Sequence, residues 1–176
     1  MPRIVITGGP GAGKSSLLSI LHNRGYSCSQ EVSRQLIREG SAKGSACLPW
    51  IDLPCFAELA FGRMIDAWAE AVEEDNTFFD RGIPDIIAYL RVASLPVAEK
   101  MERALREYPY AATVFLLPPW EHIYVRDAER WQTFEEAESI YHHIKKIYHS
   151  SGYEINELPK CPVEQRADLI LNRLGL

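Results

Sequence analysis

Residues 8–15 read Gly8-Gly9-Pro10-Gly11-Ala12-Gly13-Lys14-Ser15 and satisfy the spacing G-x-x-x-x-G-K-[ST] at every position. Glycines let a backbone curl until its N–H groups converge, and convergent amides bind phosphate oxygens. Such a loop works between a strand and a helix, because the helix N-terminus adds its positive dipole end at the same point. Both neighbours are present: Ile4-Val5-Ile6-Thr7 is an apolar, β-branched run, and Ser16-Leu17-Leu18-Ser19-Ile20-Leu21-His22 continues as a helix. Gly8, Gly9, Pro10, Gly11, Ala12, Gly13, Lys14, Ser15 and Ser16 are therefore the expected phosphate cradle. Lys14 is expected to reach the β- and γ-phosphates and the Ser15 hydroxyl to hold Mg²⁺ between them. A glycine-rich turn without a ligand would need neither residue.

The 176 residues suffice for one domain with a real core, so a single domain over residues 1–176 is expected. A net charge of −5 argues against binding nucleic acid through a broad basic surface. The expected partner is small and carries its own phosphate. Cys28, Cys47, Cys55 and Cys161 show neither a C-x-x-C pair nor a zinc-ligand spacing, and are read as partly buried free thiols in a reducing compartment. The phosphate-loop strand begins at the N-terminus and no apolar run reaches transmembrane length, which predicts a cytoplasmic protein away from membranes. Nothing in the sequence sets the oligomeric state.

Beyond the first helix, Tyr26-Ser27-Cys28-Ser29-Gln30 is a short second strand that delivers Glu31 to its carboxyl end. Ligands of open α/β sheets collect outside those ends, so Glu31 is a site candidate; the alternative is a helix-opening Glu complementing the dipole of Val32 to Arg38. Residues 40–54 lack periodicity and read as a loop, with Trp50 and Asp52 as possible ligand contacts. From Phe56 to Val72 the apolar residues recur at steps of three and four, the stripe of a long helix.

Thr77-Phe78-Phe79-Asp80-Arg81-Gly82 is a buried strand ending in an acid, the form of a Walker B element whose carboxylate emerges beside the Mg²⁺. Arg81 either binds an acceptor or phosphate or neutralises Asp80. Helices are predicted from Pro84 and from Pro96, and a fourth strand over residues 110–117, stopped by Pro118-Pro119. Residues 120–132 carry Arg126 and Arg130 and read as a short lid returning to the ligand edge, against a solvated connection with ion pairs. His142, His143 and His149 fall on the next helix as surface or packing residues, and a fifth strand over residues 152–159 precedes a last helix from Val163 to Leu174. Five strands alternating with helices predict a doubly wound parallel α/β sheet.

The segments Thr7 to Ser15, Glu31-Val32-Ser33-Arg34, Phe78 to Asp85, Val114 to Trp120 and Arg126 to Arg130 together resemble the ATPase/kinase family of P-loop NTPases described as AAA-type domains. That family is similar to the nicotinamide riboside kinase domain of the bacterial NAD-biosynthesis regulator and, more distantly, to nucleoside and nucleotide kinases. The resemblance implies ATP-Mg²⁺ binding, strand order 2-3-1-4-5 with helices on both faces, and an acceptor pocket near Glu31 and Asp80-Arg81. It also implies a lid bearing Arg126 and Arg130, and an adenine site near residues 158–162. These residues depart from the pattern of a true AAA+ motor in showing no second helical domain, so mechanical work is not expected of them.

Two functions follow. The first is a small-molecule kinase, with Lys14, Ser15 and the loop amides on ATP-Mg²⁺, with Asp80 or Glu31 as base, and with Arg81, Arg126 and Arg130 on the moving phosphoryl group. The second is a regulatory, switch-type ATPase, which needs a residue to orient water; none is identifiable in the sequence.

Overall fold

The computed structural model describes residues 2–71, 75–124 and 132–176. Strand β1 (Arg3–Gly8) lies at the centre of a five-stranded sheet between β3 (Thr77–Asp80) and β4 (Thr113–Leu117), with β2 (Ser27–Cys28) and β5 (Glu154–Glu157) at the edges. Every pairing is parallel and the order is 2-3-1-4-5, as the resemblance implies. The register sets Ile6 opposite Asp80 and Gly8 opposite Leu117, so the phosphate loop and the end of β3 emerge at one edge of the sheet.

Parallel strands require crossovers, and the helices that supply them cover both faces. The pleat of β1 divides the core accordingly: Ile4 and Ile6 point to one face, where Phe78, Phe115, Leu17 and Ile170 meet them. Val5 points to the other, among Phe79, Leu116, Met64, Ile87 and Ile144. Helices α1 (Lys14–Asn23) and α7 (Val163–Leu174) pack together on the first face; α3 (Leu53–Glu70), α4 (Ile83–Val92) and α6 (Phe134–Ser150) cover the second. Helix α2 (Val32–Lys43) packs on α3, and α5 (Glu99–Glu107) on α4.

Two local expectations change. The helix after Glu31 runs on through Gly40 to Lys43, and the loop begins only at Gly44, whose φ of 64° supplies the left-handed cap that ends α2. Asp52 caps α3, its carboxylate accepting from the Cys55 N–H at 2.9 Å, with Pro54 in the first turn. Neither Trp50 nor Asp52 borders the cavity described below, whereas Pro49 and Leu53 of the same segment do.

The expectation of four free thiols also fails. The chain between the Gly44 cap and the Asp52 cap doubles back until the Cα atoms of Cys47 and Cys55 are 5.3 Å apart, and the two are joined in a disulfide. Cys28 and Cys161 remain as thiols. Cysteine usage therefore no longer speaks for a reducing compartment. No helix among the described residues is long and apolar enough to cross a membrane.

Candidate active site

The loop between β1 and α1 has the backbone its glycines imply. Gly8 adopts φ 148°, and a Cβ there would sit 2.5 Å from the Leu117 carbonyl oxygen; Gly13, at φ 88°, turns the chain into α1. Lys14 is buried and its ammonium donates to the carbonyls of Gly8 (3.2 Å) and Gly9 (3.0 Å). Burial, and then the charge of Arg81, bring its pKa down to about 8.

Glu31 opens α2, but its carboxylate makes no cap hydrogen bond there. It accepts instead from the Ser15 hydroxyl at 3.1 Å and pairs with Arg34 Nε at 3.1 Å. The end of β2 thus joins the phosphate loop through a contact between a hydroxyl and an acid sixteen residues apart.

Asp80 ends β3 with only 3 % of its surface exposed, and its Oδ1 has no hydrogen-bond partner among the described residues. Burial raises its pKa to about 6, against the opposing pull of Lys14. A buried carboxylate oxygen without a partner is costly, and such positions cluster at functional sites. Arg81 then leaves the strand at φ 69°, a left-handed conformation that a non-glycine residue rarely holds. Its backbone N–H still donates to Ile6 O at 3.0 Å, while NH1 donates to Gly8 O (2.9 Å) and Asp85 Oδ1 (3.2 Å).

Asp85, which the sequence reading passed over, is the hub of this corner. It is 1 % exposed and accepts from the Thr7 hydroxyl, from Arg81, from the Gly82 N–H at 3.0 Å and from the Tyr148 hydroxyl at 2.7 Å. One carboxylate therefore ties β1, the β3 exit, α4 and α6 together beside the phosphate loop. Its one local sign is its place in the first turn of α4, where an acid complements the helix dipole.

Lys14, Ser15, Glu31, Arg81 and Asp85 border one cavity of about 520 Å³, whereas the buried Asp80 is not part of its lining. The phosphate loop borders the cavity together with Glu31, Arg81 and Asp85 and with apolar residues that include Phe56, Met64 and Ile86. Ile123, Val163 and Arg166 border it as well, as does Gln132, a buried residue whose Oε1 has no partner among the described residues. Arg126 and Arg130 lie outside the described residues, as do residues 125–131 of the lid expected over residues 120–132. Among the described residues no three acidic, His or Cys side chains cluster as a metal cage. A nucleotide-bound Mg²⁺ needs less, because it keeps waters and phosphate oxygens and takes one or two protein ligands. The Ser15 hydroxyl and the unpartnered Asp80 oxygen fit that requirement.

A central parallel sheet in this order, with a glycine-rich loop after its first strand and an acid ending the neighbouring one, defines a P-loop NTPase fold. The model of an AAA domain family matches residues 3–166, and the chain belongs to that family. No curated protein matches it in sequence. Among solved structures it is similar to the thymidylate kinase of Ehrlichia chaffeensis, at 13 % identity and a TM-score of 0.64 over 99 % of this chain and 98 % of that one. The deoxyadenosine kinase of M. mycoides with bound dATP aligns at 16 % identity and a TM-score of 0.60 over 100 % of both chains. The YorR protein of Bacillus subtilis, in complex with phosphorylated GDP, aligns at 15 % and 0.61 over 98 % and 95 %. At these identities the likeness is one of fold.

Proposed function

We propose that this protein is an ATP-dependent kinase that moves the γ-phosphoryl group of ATP-Mg²⁺ to a hydroxyl of a small, nucleoside-like acceptor. The observation that carries this reading is the cavity of about 520 Å³ that the phosphate loop borders together with two acids, Glu31 and Asp85, with Arg81 and with apolar Phe56, Met64 and Ile86. Bound Mg²⁺ would be held by Ser15 and Asp80 and would neutralise charge on the β- and γ-phosphates.

The protein's own groups divide the remaining work. The loop amides and Lys14 hold the phosphates, and a phosphate beside Lys14 favours the ammonium that burial disfavours. Glu31, at the cavity edge, takes the proton of the acceptor hydroxyl as the phosphoryl group reaches it. Arg81, locked by Asp85 and the Gly8 carbonyl, stabilises the transferring group without having to reorganise. Arg126 and Arg130 are proposed to close over the phosphates from the lid. The apolar wall of Phe56, Met64 and Ile86 excludes water and so favours an organic acceptor. The cytoplasm is the proposed location and a single domain the proposed organisation.

One observation favours a second reading, a regulatory ATPase whose acceptor is water: the unpartnered Gln132 Oε1 on the cavity offers the water-orienting group that the sequence did not reveal. A single assay separates the two. ADP production from ATP-Mg²⁺ is measured alone and with nucleosides, nicotinamide riboside and other small hydroxyl compounds. Stimulation of at least about tenfold by one compound, with a phosphorylated product, supports the kinase. An unchanged rate across the set supports hydrolysis.

A further inference from the structure

Helix α3 borders the cavity with five side chains, and none of them is polar. Leu53, Phe56, Ala57, Ala60 and Met64 recur at helical spacing and so share one face. The charged residues of the helix are engaged elsewhere, Glu58 with Lys100 and Arg63 with Glu39, all four exposed. Its backbone offers no partner either. The Cys55 N–H donates to the Asp52 carboxylate at 2.9 Å and the Phe56 N–H to the Asp52 carbonyl at 3.0 Å, and beyond the first turn the amides bond along the helix.

Ile37 of α2 and Ile86 of α4 also border the cavity and join this face in one apolar cluster. The acids of the cavity, Glu31 and Asp85, and two of its arginines, Arg34 and Arg81, come instead from the chain leaving β2 and β3. They are engaged with one another, Glu31 with Arg34 and Asp85 with Arg81. Tyr89, one turn after Asp85, keeps its ring 5.4 Å from Arg81 Cζ. On the α3 face Ala57 and Ala60 are the small members between Phe56 and Met64, and they leave room that larger side chains would fill. A nucleobase held against such a face would leave its carbonyl, amino and ring-nitrogen groups without partners, at a desolvation cost that apolar contact does not return. A bare ring or chain pays no such penalty.

We propose that the acceptor carries its reactive hydroxyl on an apolar body, a bare aromatic or aliphatic group, and that this body lies on the α3 face over Ala57 and Ala60. This rests on the kinase reading above and narrows its nucleoside-like acceptor to one without a hydrogen-bonding base edge. Selection is then by apolar area and shape and not by a pattern of donors and acceptors.

The test compares ribosides that differ in the ring: phenyl riboside, in which a benzene ring replaces the base, against adenosine, guanosine, cytidine and uridine. Binding is measured by calorimetry with a non-hydrolysable ATP analogue and Mg²⁺, and phosphorylated product separately with ATP. Phenyl riboside is expected to bind at least about tenfold more tightly than each nucleoside. Ala60→Leu, which fills the space over that face, is expected to weaken it about tenfold. A nucleoside that binds as tightly as phenyl riboside overturns the proposal, as does a phenyl riboside that does not bind or that binds Ala60→Leu unchanged. Phosphorylation of a nucleoside in that event leaves the kinase reading standing. The expected preference in binding, with no riboside phosphorylated, overturns the kinase reading and leaves the assignment of the α3 face. Should Ala60→Leu not fold, the smaller change Ala57→Val is read in the same way, and the wild-type ranking decides without either variant.

Discussion

The Arg81 guanidinium lies 3.2 Å from the Asp85 carboxylate, and both side chains are almost sealed from solvent, 8 % and 1 % exposed. Breaking such a pair from one side leaves a charge stranded in a medium that solvates it poorly. Asp85→Ala is therefore expected to cost about 3–5 kcal/mol in a urea unfolding series. The double variant with Arg81→Ala should lose less than the sum of the two single losses. Additive losses would mean that Asp85 and Arg81 act independently.

Asp80 couples stability to function with opposite signs. Its pKa is raised by burial from 3.8 to about 6, so the folded state favours the protonated acid. The contribution of this group is fully present below about pH 4 and is lost as pH rises through 6. Asp80→Asn, which never ionises, should therefore be more stable than the wild type above pH 6 and lose that difference toward pH 4. Its turnover should fall by about a hundredfold or more, with altered Mg²⁺ dependence. Thermal melts at several pH values and a Mg²⁺ titration of the rate check both halves.

Glu31→Gln keeps an acceptor for the Ser15 hydroxyl but removes the base. Acceptor-dependent turnover should drop about 10²- to 10⁴-fold while acceptor-independent ADP release changes by less than about tenfold. Equal losses in both assays would assign Glu31 to the metal and phosphates instead of the acceptor.

Thiol titration of the denatured, unreduced protein should find the two thiols of Cys28 and Cys161, rising to four after reduction. Cys47→Ser should lower stability by about 2–3 kcal/mol, the loop-entropy value for a bridge of this short span. Because Pro49 and Leu53 of the bridged segment border the cavity, an acceptor's KM should rise more than that of ATP.

What could be read directly from the sequence was whatever the chemistry places in consecutive residues or in a period. Phosphate is bound by successive amides, so Gly8 to Ser15 carry their purpose in eight positions; a buried parallel strand is a short apolar run, so β1, β3 and β4 stood out, and Asp80 with them. Tertiary structure decided what depends on which distant segments the sheet order makes neighbours. Thr7 meets Asp85 across 78 residues, Tyr148 meets it across 63, and Arg166 reaches Ala12 across 154; none of these side chains has a periodicity or motif that announces its partner. The Cys47–Cys55 bridge belongs with them, because a spacing of eight says nothing of the Gly44 and Asp52 caps that turn the chain back on itself. Local pattern determines which elements form, since propensity and amphipathicity act over a few residues. The company a buried charge keeps is set only when the parallel crossovers close, because burial and partners arise from contacts far apart in the chain.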